Sequence, residues 1–152
     1  IKWCNMKKYK LFTIYILGSL YIYVGITHFI NPEYFKIIMP EYIPFHYIFI
    51  YVSGLFEIIF GFMIFFQKSR FNGAWGIFTL LILVFPANIY LYESIKVQEI
   101  LSVSKDQTFI RLLFQFPLIV LSFWHTRDFN SKIFNIFCSV IFLPTLIYFL
   151  TL

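Results

Sequence analysis

An all-α integral membrane fold, four transmembrane helices in a bundle with a fifth hydrophobic helix at the C-terminus, follows from three features of this chain. Its 152 residues are 61% hydrophobic and only 12% charged, and a mean hydropathy of +0.81 lies far outside the range of a water-soluble domain. The apolar residues gather in runs of about 20, the length that crosses a hydrocarbon core as a helix. Each run is continuously apolar, whereas a barrel strand alternates between lipid and lumen over about 10 positions, so helices are required. Little chain remains for a separate soluble domain.

Taken in order, residues 1–10 form a basic tail with Lys2, Lys7, Lys8 and Lys10. Met6 followed by lysines reads as a start, with residues 1–5 upstream of it. Residues 11–30 form the first span. The lysines before it look like the n-region of a secretory signal, but the run is too long for a signal core and no A-x-A-like site follows, so it reads as an uncleaved anchor. The second span covers 45–66, with Pro44 expected in its first turn, where a missing amide hydrogen costs nothing. "QKSRFNG" is a tight basic turn leading to the third span, 74–92. The polar connection "ESIKVQEILSVSKDQT" precedes the fourth, 109–124, and "HTRDFNSK" follows it. A fifth run, 133–152, is expected to be interrupted at Pro144. The domain plan is therefore a tail (1–10), a four-helix domain (11–127), and a linker with an extra hydrophobic helix (128–152).

The net charge of +5 speaks to orientation, because the charges sit in the connections. The tail lysines fall on one side with Lys68, Arg70, Arg127 and Lys132, and the other side has Lys36, Lys96, Lys105 and Arg111. The positive-inside bias then puts the N-terminus in the cytoplasm, and a fully spanning fifth run puts the C-terminus outside. No nucleic-acid pattern is present. Cys4 and Cys138 belong to no C-x-x-C pair, so thiol-relay chemistry has no reagents.

Polar residues inside the spans mark the candidate site. His28 lies near the outer end of the first span, Asn88 just inside the outer end of the third, and Arg111 and Gln115 near the outer start of the fourth. Glu57 is deeper, roughly 20 Å along the second span. An ionised carboxylate at mid-membrane costs on the order of 3 kcal/mol, so Glu57 is expected to be protonated, paired or hydrated. At about 100° per residue, Gly18, Tyr21, Gly25 and His28 share one stripe, Gly54, Glu57 and Gly61 a second, and Arg111, Gln115, Leu118 and Ser122 a third. Glycines beside polar residues imply close helix contact, with Glu57 and His28 turned into the bundle. Pro86 and Pro117 free the carbonyls of Ile82 and Leu113, and Asn88 and Gln115 are placed either to bond them or to prop the helices apart around a cavity. Each of these residues also has a plain structural role open to it. His28 suits an interfacial anchor, Arg111 a snorkelling edge residue, and Asn88 and Gln115 interhelical hydrogen bonding. One His and one Glu at different depths make no metal site. No phosphate loop, nucleophile elbow or carboxylate pair assigns a catalytic residue.

As an ordered set, "GITHFINPEYFKIIMPEYIP", "SGLFEIIFG", "RFNGAWGIFTLLILVFPANIY" and "RLLFQFPLIVLSFW" resemble the small DoxX-like membrane proteins, over most of residues 15–127. The resemblance implies a four-helix bundle in the bacterial inner membrane, with His28, Glu57, Asn88, Arg111 and Gln115 at the family's polar positions. It also implies a role. Some relatives are linked to quinone-coupled sulfur oxidation or redox-stress complexes, and similar animal proteins act as assembly factors for membrane receptors. The fifth run departs from the four-span pattern.

Two functions fit these residues. The first is an accessory membrane subunit whose pocket takes a quinone-like head group, with Glu57 and His28 exchanging protons and Arg111, Asn88 and Gln115 fixing oxygens. No cofactor is encoded in the chain, so a membrane or redox protein partner would supply electrons. The alternative is a non-catalytic scaffold or assembly factor using the same polar residues for packing. A solute or proton pathway is a third, weakened by the scarcity of deep charges beyond Glu57.

Overall fold

The computed structural model describes residues 2–127 and 131–151; Ile1, the linker residues 128–130 and Leu152 at the tip of the fifth run lie outside the described residues. The described residues form helices and turns without a strand: α1 (Lys2–Ile30), α2 (Pro32–Ile38), α3 (His46–Met63), α4 (Arg70–Glu93), α5 (Ile95–Leu101), α6 (Lys105–His125) and α7 (Lys132–Leu150). From Lys7 onward α1 is long and apolar enough to cross a membrane, as are α3, α4, α6 and α7. These helices coincide with the five apolar runs, most ends shifted by about a turn, but α1 starts at Lys2, so the expected basic tail from residue 2 to 10 continues the first helix.

Two prolines behave differently from expectation. Pro44 lies outside α3, because Phe45 adopts a left-handed conformation (φ 55°) that ends the preceding turn and lets the helix begin at His46. Pro144 does not interrupt the fifth run, and α7 passes straight through it. A proline removes one amide donor, a loss that a helix held by its neighbours tolerates.

Two short helices were not visible as spans. Pro32 opens α2 at a position where its fixed φ suits the first turn. Ser94 caps α5, its side chain accepting from the Val97 amide at 3.3 Å. The two pack at one end of the molecule, where Ile38, Leu91 and Val97 form a small buried cluster. Gln98 fastens this layer to α4 by donating to the carbonyls of Leu91 (2.9 Å) and Tyr92 (2.7 Å), which lie in the unpaired last turn. The Tyr47 hydroxyl bonds Glu33 at 2.5 Å and accepts from Lys36 at 3.0 Å, tying α2 to the start of α3. The same Tyr47 bond and the nearby Glu33 carboxylate hold the Lys36 ammonium above the usual lysine range. α6 opens with a reciprocal cap between Ser104 and Gln107.

The long helices pack in chain order, α1 on α3, α3 on α4, α4 on α6 and α6 on α7, with α7 also touching α1. The tightest seam is α1 on α3. A Cβ added at Gly25 would sit 2.7 Å from the Gly54 carbonyl oxygen, and one at Gly61 would sit 3.0 Å from the Gly18 carbonyl oxygen. The seven-residue spacing on both helices keeps the small residues on one side through two turns, as an antiparallel seam requires. Between the helices lies a core of Ile14, Leu17, Tyr21, Ile64, Ala74, Ile77, Leu118, Leu121, Trp124, Cys138 and Phe142. At the end opposite α2, Arg70 donates to the Ile64 carbonyl oxygen at 2.9 Å and closes the last turn of α3.

Candidate functional site

The glycine seam fixes the position of His28. With no side chain at Gly54, α3 comes so close that a Cβ there would meet the His28 Cβ at 2.6 Å. Glu57 is one turn further along α3, and its Oε2 lies 3.4 Å from His28 Nδ1. The same Nδ1 is 2.9 Å from the Val24 carbonyl oxygen. A carbonyl only accepts, so Nδ1 carries hydrogen, directed mainly to Val24. In the neutral ring Nε2 is then the acceptor. Phe35 of α2 stacks on the imidazole, centroids 3.6 Å apart and planes 20° from parallel. His28 is thereby 5% exposed, roofed by α2 and walled by Gly54. The Glu57 side chain keeps 13% exposure, and its Oε2 has no hydrogen-bond partner.

The other three expected residues belong to separate arrangements. Asn88 Nδ2 donates to Gln115 Oε1 at 2.5 Å, and Gln115 Nε2 donates to the Leu81 carbonyl oxygen at 2.9 Å. This buried chain locks α4 to α6. Leu81 precedes by one residue the carbonyl that Pro86 frees, so Gln115 bonds the neighbouring carbonyl and not the acceptor expected at Ile82. Arg111 is half-buried and turns toward the α2 layer, its Nη1 donating to the Tyr34 hydroxyl at 2.6 Å. Tyr148 of α7 lies within electrostatic reach of both. The structure thus brings His28 to Glu57 and Asn88 to Gln115, and fastens Arg111 to the α2 layer; no hydrogen bond or ion pair among the described residues links one group to another.

The Asn88–Gln115 pair makes a measurable prediction. Leucine at each position, singly and together, is expected to give a coupling of about 1 kcal/mol in a double-mutant cycle of detergent unfolding. A coupling indistinguishable from zero contradicts the bond.

A second polar cluster lies apart from the five expected residues. His125, at the last position of α6, is 4% exposed and its Nε2 lies 3.1 Å from the fully buried Thr13 hydroxyl of α1. Trp124 Nε1 donates to Asn135 Oδ1 of α7 at 2.7 Å. Beside these, a gap is lined by Tyr21, Ile64, Ala74, Ile77, Ser122 and His125. In the sequence His125 opens the polar linker and Thr13 is an isolated hydroxyl two residues into a span. The usable signal was that both fall at one depth, opposite His28. Among the described residues, no group of three or more His, Cys, Asp or Glu side chains is arranged to hold a metal.

A family model described as a domain of unknown function matches residues 17–126, most of the 152-residue chain. The chain belongs to the DUF8561 family. The DUF8561 match begins within α1 and ends just after α6, so it contains His28, Glu57, Asn88, Arg111, Gln115 and His125 and leaves α7 outside. No curated protein and no solved structure matches the chain.

Proposed function

We propose that this protein is a DoxX-like, multi-pass component of the bacterial inner membrane, its N-terminus cytoplasmic, acting as an accessory subunit that presents a proton-exchanging site to a quinone-like head group. Four helices, α1, α3, α4 and α6, make the transmembrane bundle, and α7 is an added fifth helix. The observation that supports this reading is the Glu57 carboxyl, set against His28 between α1 and α3 with one oxygen unpartnered. An unpaired polar atom in an apolar bundle costs roughly 1–3 kcal/mol. A carboxyl at this depth is a functional residue by default.

The chemistry asks little of the chain itself. Reduction of a quinone to a quinol takes two electrons and two protons. A partner redox protein supplies the electrons; Glu57 gives one proton from its carboxyl and His28 one from its imidazolium, and both are recharged from the aqueous side. The 13% exposure of the Glu57 side chain leaves it open to a ring arriving from the bilayer, while stacking on Phe35 keeps the imidazole in place. The test is binding. Purified protein is expected to bind a short-chain ubiquinone or menaquinone saturably, and Glu57→Gln, which keeps shape and removes the acid, is expected to weaken binding about tenfold. Equal binding by the two proteins, or none by either, removes this reading.

A second reading is favoured by the closed Asn88–Gln115–Leu81 chain, which has the form of packing rather than ligand binding. In it the protein is a scaffold or assembly factor for another membrane protein. Glu57→Gln then leaves cellular function intact, while substitutions that part α4 from α6 abolish it.

A further inference from the structure

Arg111 is a charge inside an apolar span. It sits six residues past the start of α6, roughly 9 Å along a helix long and apolar enough to cross a membrane. A cation at such a position is costly unless it is paired, so its counter-charge has to be accounted for. Among the described residues no carboxylate provides it. Glu33 and Glu41 pair with Lys36 and Lys96, Glu57 lies against His28, and no acid forms an ion pair with Arg111. The guanidinium bonds instead to a neutral phenol, Tyr34. It carries five N–H donors in a rigid fork, and the phenol oxygen takes a single one of them.

The neighbours of Arg111 suit an anion. Tyr34 accepts from the guanidinium, which leaves its own hydroxyl hydrogen to donate. A second phenol comes from α7. Phe114 lies three residues beyond Arg111 on the same face of α6, and it stacks with Tyr148, centroids 4.2 Å apart and planes 15° from parallel. The stack holds Tyr148 on the Arg111 side of α6, within electrostatic reach of both Arg111 and Tyr34. All three residues are half-buried, so the cluster is anchored in the bundle yet open to a ligand. A cation flanked by two hydroxyls, with no acid paired to it, is a receptor for an oxyanion, which a guanidinium grips through two parallel hydrogen bonds.

The surroundings select the source of that oxyanion. Ile110 and Leu113, flanking Arg111 in α6, are 42% and 47% exposed, and Ile147 beside Tyr148 is 60% exposed. Apolar surface next to the charge suits acyl chains and does nothing for a free ion. A phospholipid brings both, a phosphodiester at its head and hydrocarbon beneath. The rest of the head is restricted too, because choline or ethanolamine would carry a second cation to a site with no acid to receive it. An uncharged head such as glycerol leaves the lipid with the single negative charge that Arg111 lacks.

We propose that Arg111, Tyr34 and Tyr148 form a headgroup site for an anionic phospholipid, the guanidinium gripping the phosphodiester and the two phenols donating to its oxygens. The lipid then ties α2, α6 and α7 together at one end of the bundle. The site uses neither Glu57 nor His28, so it stands or falls apart from the quinone reading.

Native mass spectrometry of the delipidated full chain, titrated in detergent with dioleoyl phosphatidylglycerol, measures the site. The wild type is expected to bind one phosphatidylglycerol about fivefold more tightly than dioleoyl phosphatidylcholine, and millimolar inorganic phosphate is expected not to displace it. Arg111→Gln is expected to weaken phosphatidylglycerol binding about tenfold. Tyr148→Phe, which keeps the stack on Phe114, is expected to weaken it about threefold. Lys96→Gln removes the same charge at the same end of the molecule and is expected to bind as the wild type does. Equal affinity for the two lipids overturns the proposal, as does undiminished binding in either Arg111→Gln or Tyr148→Phe, or a loss in Lys96→Gln as large as that in Arg111→Gln. Displacement by inorganic phosphate would make this a site for a free anion and overturns it equally. Should the glutamine variant not fold, Tyr148→Phe and the comparison of the two lipids decide.

Discussion

Gly54→Val is expected to be the most damaging single substitution in the chain. The first carbon it adds would lie 2.6 Å from the His28 Cβ and 2.9 Å from the Gly25 carbonyl oxygen, well inside van der Waals contact. Neither neighbour is the free end of a flexible side chain, so the helices themselves must part. Overpacking of this kind costs roughly 3 kcal/mol, and it falls on the most extensive helix contact in the molecule. The separation also withdraws His28 from Glu57. Detergent-unfolding curves should show the loss. A valine variant as stable as the wild type would mean that α1 and α3 do not cross at these glycines.

The second large effect is expected at Phe142→Ala. The ring is fully buried and meets Tyr9 of α1 edge-on, centroids 6.3 Å apart. It belongs to the central core together with Cys138, although α7 lies beyond the residues matched by the family model. Removing a buried phenyl leaves a cavity worth about 3 kcal/mol. Leu143→Ala is the natural comparison, since this neighbour is 55% exposed and should change stability by less than about 0.5 kcal/mol. If the two variants unfold alike, α7 is not packed as a fifth member of the bundle.

How much of this could be read from the sequence depends on which physical signal each part left. Continuous apolar runs set the five long helices, because a backbone flanked only by apolar side chains satisfies its hydrogen bonds within its own segment. The helical stripe pairing Gly18, Gly25 and His28 with Gly54, Glu57 and Gly61 held enough information to place the α1–α3 seam, since small residues at heptad spacing have few other uses. Register across the bundle left no such trace. Asn88 and Gln115 turned toward one another, and Arg111 toward Tyr34, because α2 places a phenol where the sequence showed only a connection. The α2 and α5 helices are each seven residues long, too short to display a period, and they form through end-capping and docking. Thr13 and His125 are inconspicuous in the sequence for a related reason. Each sits at the margin of its span, and only tertiary contact makes them partners.

The helices carry another lesson in their prolines. Pro86, Pro117 and Pro144 all lie inside continuous helices, whereas Pro44, placed beside a helix start, stays outside. The first three lie in helices packed among neighbours, which tolerate the lost amide. Thr145, next to Pro144, is 1% exposed and its hydroxyl donates to the Ile141 carbonyl oxygen at 2.7 Å, one residue past the carbonyl that Pro144 frees. At Pro44 the left-handed Phe45 turns the chain before any helical bond can form.

The claim on which the site depends is that the Glu57 carboxyl faces His28 across the glycine seam rather than the lipid. Solid-state NMR of the protein in bilayers, with ¹⁵N in the His28 ring and ¹³C in the Glu57 carboxyl, measures this directly through their dipolar coupling. A strong coupling, matching the 3.4 Å approach of Nδ1 and Oε2, is the predicted result. A vanishing coupling, with the Glu57 carbon showing contacts to lipid acyl protons instead, would contradict the account.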